Sequence, residues 1–122
     1  MKIKLFDSEL RIMEVLWRRG DASASEIAQE LGAEIGWNKN TTYTVIKKCV
    51  EKGAVERREP GFVCRALITR EQAQQQEIDQ LVGKLFDGNE ERLFASLLRR
   101  QKLPKDVVER LRRMIDEEEE GK

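Results

Sequence analysis

The chain has 122 residues, enough for one domain or for a small domain with a short assembly element. Charged residues make up 38% and hydrophobic ones 39%, which suits a helical protein with wet faces and a modest core. There is no histidine, and Cys49 and Cys64 form no Cys-x-x-Cys pair, so a zinc site lacks ligands and the commonest general base is missing. The expectation is a cytoplasmic protein that is not an enzyme, with no cofactor, no metal and no membrane insertion, since no apolar run is long enough to span a bilayer.

A first helix is predicted from about Ser8 to Arg19. Asp7 or Ser8 can cap it, and Glu9 favours the positive end of its dipole. Leu10, Ile12, Met13, Leu16 and Trp17 form a wide apolar stripe, with Trp17 as a core anchor, and Gly20 ends the helix. Ser23-Ala24-Ser25-Glu26 is a capping-box pattern that opens a second helix through Ala24, Ile27, Ala28 and Leu31. Gly32 is the expected stop, and residues 33–37 the connection.

Asn38 caps a third helix that runs to about Lys52 and stops at Gly53. Thr42, Val45, Ile46, Cys49 and Val50 lie on its apolar side. Asn40, Thr44, Lys47 and Glu51 lie opposite, with Thr41 and Lys48 beside them. Short hydroxyls, an amide and cations can reach phosphates and base edges. A β-hairpin follows: Val55 to Arg58, a turn through Glu59-Pro60-Gly61, then Phe62 to Ile68, where the side chains alternate. Cys49 and Cys64 are expected as small core residues.

Net charge is zero, but residues 38–65 hold seven basic groups (Lys39, Lys47, Lys48, Lys52, Arg57, Arg58, Arg65) against three acidic ones (Glu51, Glu56, Glu59). The chain end carries Asp116 to Glu120 in a row. Taken singly, the helix could be an ordinary amphipathic helix and the hairpin an ordinary solvated one. Taken in order, two helices, a polar basic helix and a hairpin with arginines form the layout of a winged helix-turn-helix over residues 1–69. In that layout Asn38, Asn40, Thr41, Tyr43 and Thr44 meet bases or phosphates of a DNA groove. Lys39, Lys47, Lys48, Arg57, Arg58 and Arg65 mainly neutralise phosphate.

After Ile68, Thr69-Arg70-Glu71-Gln72 is a second capping-box pattern, opening a helix to about Phe86. Asp87-Gly88-Asn89 breaks it. A helix from about Glu90 to Gln101 and another from Pro104, at its first helical position, to about Glu119 complete the chain. Leu81, Leu85, Phe86, Leu93, Phe94, Leu97, Leu98, Val107, Leu111, Met114 and Ile115 are too many large apolar groups for three short helices to bury among themselves. A second copy would cover them, so residues 70–122 are read as a helical dimerisation domain and the protein as a homodimer. Packing of these helices back on the first domain is the alternative. The fold class is thus mainly α with a small β-hairpin.

With these elements in place, the chain resembles the penicillinase-repressor family, the BlaI/MecI/CopY-type winged-helix transcriptional repressors. The carriers are Glu9-Leu10-Arg11-Ile12-Met13-Glu14-Val15-Leu16-Trp17, Ala24-Ser25-Glu26-Ile27, Trp37 with its spacing to Thr41 and Thr44, Lys52-Gly53-Ala54 with the hairpin, and Leu103-Pro104-Lys105-Asp106. The resemblance covers nearly the whole chain. It implies a homodimeric repressor on palindromic double-stranded DNA operators, controlling β-lactam-resistance or related genes. It also implies a membrane sensor protease in the induction pathway and release by cleavage in the dimerisation region. The family's cleaved bond is typically Asn-Phe; the corresponding pair here is Ser96-Leu97. The copper-responsive branch uses a cysteine-rich end, and this chain has no cysteine after Cys64. At the start of the third helix Asn38-Lys39-Asn40-Thr41 stands where the family often has Ser-Pro-Lys-Thr, and Lys48 where arginine is common. Both departures imply an altered operator preference. A winged-helix protein-interaction module without sequence-specific DNA binding is the rival reading.

Overall fold

A computed structural model describes residues 3–100 and 103–120, with side chains as far as 118. In chain order the elements are α1 (Asp7–Arg19), β1 (Ala22–Ser23), α2 (Ala24–Ile35), α3 (Lys39–Glu51), β2 (Val55–Arg58), β3 (Val63–Ala66), α4 (Arg70–Leu85), α5 (Glu90–Arg100) and α6 (Lys105–Glu120). The chain forms two compact units, Met1–Ile78 and Asp79–Lys122, and the division falls inside α4 rather than at its start.

In the first unit three helices and a small sheet enclose one core. Ile12, Met13 and Leu16 of α1, Ile27 and Leu31 of α2, and Val45, Ile46 and Cys49 of α3 are all buried in it. The helical spacing of those residues places each set on one face. Trp17 is half-buried against the core, and its indole N–H donates to the Ile68 carbonyl at 2.9 Å. From α4, Ala73 is buried in the same core, and the Ile3 N–H donates to Gln76 Oε1 at 3.0 Å.

Several local expectations change. Neither Asp7 nor Ser8 caps α1. Phe6 holds the cap position, and its N–H donates to Glu9 Oε1 at 2.7 Å, so Glu9 satisfies the free amide from inside the helix. The Ser23–Glu26 capping box is present, with bonds of 3.1 and 2.9 Å. Gly32 does not end α2. The helix continues one further turn to Gly36, which takes the left-handed conformation (φ 74°, ψ 18°) and donates its N–H to Gly32 O. Pro104 lies just before α6 instead of at its first helical position, and its carbonyl accepts from Val107 and Val108. The expected end of α5 at Gln101 lies outside the described residues.

The hairpin is part of a three-stranded antiparallel sheet, ordered β1-β3-β2. β1 is only Ala22–Ser23 and had no alternating pattern to announce it; it pairs with β3 through Ala22↔Cys64 and Ser23↔Val63. β3 is shorter than the predicted Phe62–Ile68, because Phe62 turns into the hairpin tip. Cys49 and Cys64 are buried free thiols. Burial pushes Cys49 up to about 12 and Cys64 up to about 11.

The second unit is different. None of the described residues of α5 is buried. Leu81, Leu85, Phe94, Leu97, Leu98, Leu111, Met114 and Ile115 are exposed, Phe94 to 64%. Phe86, Leu93 and Val107 are half-buried. Between α5 and α6, Phe94, Leu97, Leu98, Leu103 and Leu111 line an apolar trough of about 400 Å³.

Candidate nucleic-acid interface

The sequence of α3 decides which of its groups face outward. Thr42, Val45, Ile46 and Cys49 anchor one side in the core, so Lys39, Asn40, Thr41, Thr44, Lys47 and Lys48 are all exposed on the other. Asn38 is exposed too, but its Oδ1 accepts the Thr41 N–H at 2.8 Å. That oxygen is occupied by the cap; the amide NH₂ is the part left for another partner. Tyr43 is half-buried, turned towards the hairpin: its ring lies 6.0 Å from that of Phe62, and Lys39 Nζ lies 5.5 Å from the Tyr43 ring centre.

The hairpin separates the three arginines by the pleat. Arg57 pairs with Cys64 and shares the face of buried Val55; on the opposite face Arg58 pairs with Val63 and Glu56 with Arg65. Arg57 lies over Phe62, its guanidinium carbon 3.7 Å from the ring centre, and Arg57 Nη2 is 2.7 Å from Glu59 Oε1. Arg58 Nε is 3.2 Å from Glu56 Oε2. The Arg57 hydrogen bond, then the Phe62 N–H, hold the Glu59 carboxyl below its ordinary value. The structure therefore joins Lys39, Tyr43, Phe62 and Arg57 into one row, two mutually tilted rings with a cation at each end. It does not bring Arg58 and Arg65 to that row.

Phe62, Glu56 and Glu59 were missed as parts of this surface. Periodicity alone puts Phe62 in the alternating strand, and only its position after Gly61 hints at a tip. Lys52, counted among the basic groups, points away from the surface: its Nζ is 2.6 Å from Glu9 Oε1 and 2.7 Å from the Lys4 carbonyl.

The penicillinase repressor family profile matches residues 5–117. The chain belongs to the penicillinase repressor family. Among similar curated proteins, the methicillin resistance regulatory protein MecI of Staphylococcus aureus (strain N315) is 22% identical over 115 residues, covering 93% of this chain and 94% of that protein. The penicillinase repressor of Bacillus licheniformis is 21% identical over 121 residues, covering 98% and 94%. Among solved structures, the DNA-binding domain of the repressor BlaI superimposes with a TM-score of 0.54 at 26% identity, over 59% of this chain and 90% of that one. Monomeric Bacillus licheniformis BlaI in complex with the blaP half-operator gives 0.52 at the same identity and coverage. Membership fits the winged arrangement of α1, α2, α3 and the hairpin. Among the described residues, no helix is long and apolar enough to cross a membrane.

Proposed function

We propose that the protein is a sequence-specific DNA-binding repressor that acts as a homodimer on palindromic operators. One observation carries the reading: α3 buries one side and presents Lys39, Asn40, Thr41, Thr44, Lys47 and Lys48 together on the other, beside a hairpin bearing Arg57. Family membership and the likeness to BlaI, solved in complex with a half-operator, support it. The start of α3 enters the major groove, where Asn40, Thr41 and Thr44 reach base edges or phosphates. Lys39, Lys47 and Lys48 neutralise backbone charge.

Dimerisation falls to the apolar side chains of residues 79–118. A second copy covering Leu97, Leu98, Leu111 and their neighbours removes them from water and sets two α3 helices at the spacing of a symmetric site. Controlled genes of the β-lactam-resistance class, and release by cleavage at Ser96-Leu97 after a signal from a membrane sensor protease, complete the reading. That bond lies in the middle of α5, with Ser96 half-buried, so a protease reaches it only when the helix opens locally.

The test is retention of labelled genomic fragments by the full chain across a salt series. Selective retention that weakens steeply with salt is the expected result. A folded dimer that retains nothing, or retains all fragments equally, overturns the repressor reading and leaves the protein-interaction module.

A further inference from the structure

Phe62 is a non-glycine residue in the left-handed region, with φ 49°. An aromatic side chain adopts that conformation only when its surroundings hold it there. Four contacts do so. Its N–H donates to Glu59 Oε2 at 3.2 Å, and its carbonyl accepts the Ala24 N–H at 3.0 Å. Its ring packs 6.0 Å from Tyr43 of α3, and Arg57 covers that ring at 3.7 Å. The hairpin tip is thereby tied to the start of α2 and, through half-buried Tyr43, to α3.

Arg57 is the arginine this arrangement fixes. Its Nε and Nη2 both lie 2.7 Å from Glu59 Oε1. These Nε and Nη2 donors are the same fork with which arginine makes paired hydrogen bonds to a carboxylate or a phosphate. Arg58, on the other face, meets Glu56 through Nε at 3.2 Å, and no described aromatic ring lies beneath it. The Arg57 hydrogen bond lowers the Glu59 pKa further below an ordinary value that already leaves the carboxylate charged at neutral pH.

We propose that Glu59 occupies, within the free protein, the place that a DNA phosphate takes on Arg57, and that Phe62 is the positioning residue that keeps this place aligned with α3. The proposal rests on the DNA-binding reading above. On binding, the phosphate replaces the carboxylate and Glu59 turns to solvent. A phosphate in poor register cannot displace it, so Glu59 weakens binding to wrong sites more than to right ones.

The experiment measures binding by fluorescence anisotropy of the full chain to a duplex selected with the wild-type protein and to a scrambled duplex. Glu59→Gln is expected to tighten binding about two- to fivefold, the range that an exposed ion pair covers, and more on the scrambled duplex than on the selected one. The tightening should vanish in an Arg57→Ala background. Equal tightening in both backgrounds means that Glu59 merely repels DNA, and overturns the proposal; so does no tightening in either. Phe62→Ala should weaken binding and lower the salt slope by about one, as Arg57→Ala does, with Phe62→Tyr restoring both. A Phe62→Ala protein that keeps the full slope removes the positioning role. If the wild-type chain binds neither duplex, it is the DNA-binding reading that fails.

Discussion

Lys52 Nζ lies 2.6 Å from Glu9 Oε1, and this ion pair ties the start of α1 to the end of α3. Glu9 is 1% exposed, and its second oxygen, Oε2, has no hydrogen-bond partner among the described residues. Removing the lysine would leave a buried charge without its counter-ion, which costs far more than an exposed pair is worth. Since Lys52 itself is 28% exposed, water screens part of that loss. Lys52→Met should destabilise the fold by about 2 kcal/mol in urea unfolding. Glu9→Gln added to it should recover part of the loss. A Lys52→Met protein with an unshifted midpoint would refute the structural role.

The same pairing separates Lys52 from Lys47 in DNA binding. Lys47 is exposed on the outward side of α3, whereas Lys52 is committed to Glu9 and the Lys4 carbonyl. Lys47→Ala should weaken selected and scrambled duplexes alike and reduce the salt slope by about one. Thr44→Ala should instead act mainly on the selected duplex, if its hydroxyl meets a base edge. Salt titrations of both variants on both duplexes check this. An unchanged slope for Lys47→Ala would take that residue out of the interface.

Truncation should separate binding from assembly, provided that the cut respects the core. Ala73 and Gln76 of α4 belong to the first unit, so the chain should end after Ile78 and not before Arg70. The 1–78 fragment is expected to be a folded monomer with poor operator affinity, because one half-site gives only part of the binding free energy. Sedimentation of the fragment decides it: a dimer as stable as that of the full chain would place assembly elsewhere.

Burial of the two thiols makes a pH prediction. Unfolded thiols ionise from an ordinary value of 9.0, but folded Cys49 and Cys64 ionise only near about 12 and about 11. The folded state therefore holds protons that the unfolded state releases, and this contribution to stability is complete below pH 9.0 and declines as pH rises through those values. The loss should be absent in Cys49→Ala/Cys64→Ala. At pH 8, a thiol reagent should label the folded protein only at the rate of unfolding. Rapid labelling of both cysteines without loss of structure would contradict their burial.

Periodicity and capping chemistry were enough to read the helices of this chain. Helical spacing placed Ile12, Ile27, Val45 and Cys49 inward, and the Ser23–Glu26 pattern marked where α2 starts. The outward set on α3 was legible for the same reason: a helix with one apolar face must turn the rest to solvent. What remained hidden depended on contacts between distant residues. Two residues are too few to show a strand period, so β1 exists only because β3 pairs with it. Local residue types point to Gly32 as the helix stop, whereas the packed chain carries α2 one turn further to Gly36. Lys52 counted as a free cation until Glu9 met it across the core. The wing arginines were legible as a set of three, but only the strand register divided them between two faces. Only the fold of the tip put Phe62 beneath Arg57. Local residue types thus determined that a basic helix and hairpin exist; which charges are available to a partner was decided by tertiary pairing, because a charge already held by a carboxylate has less to offer a phosphate.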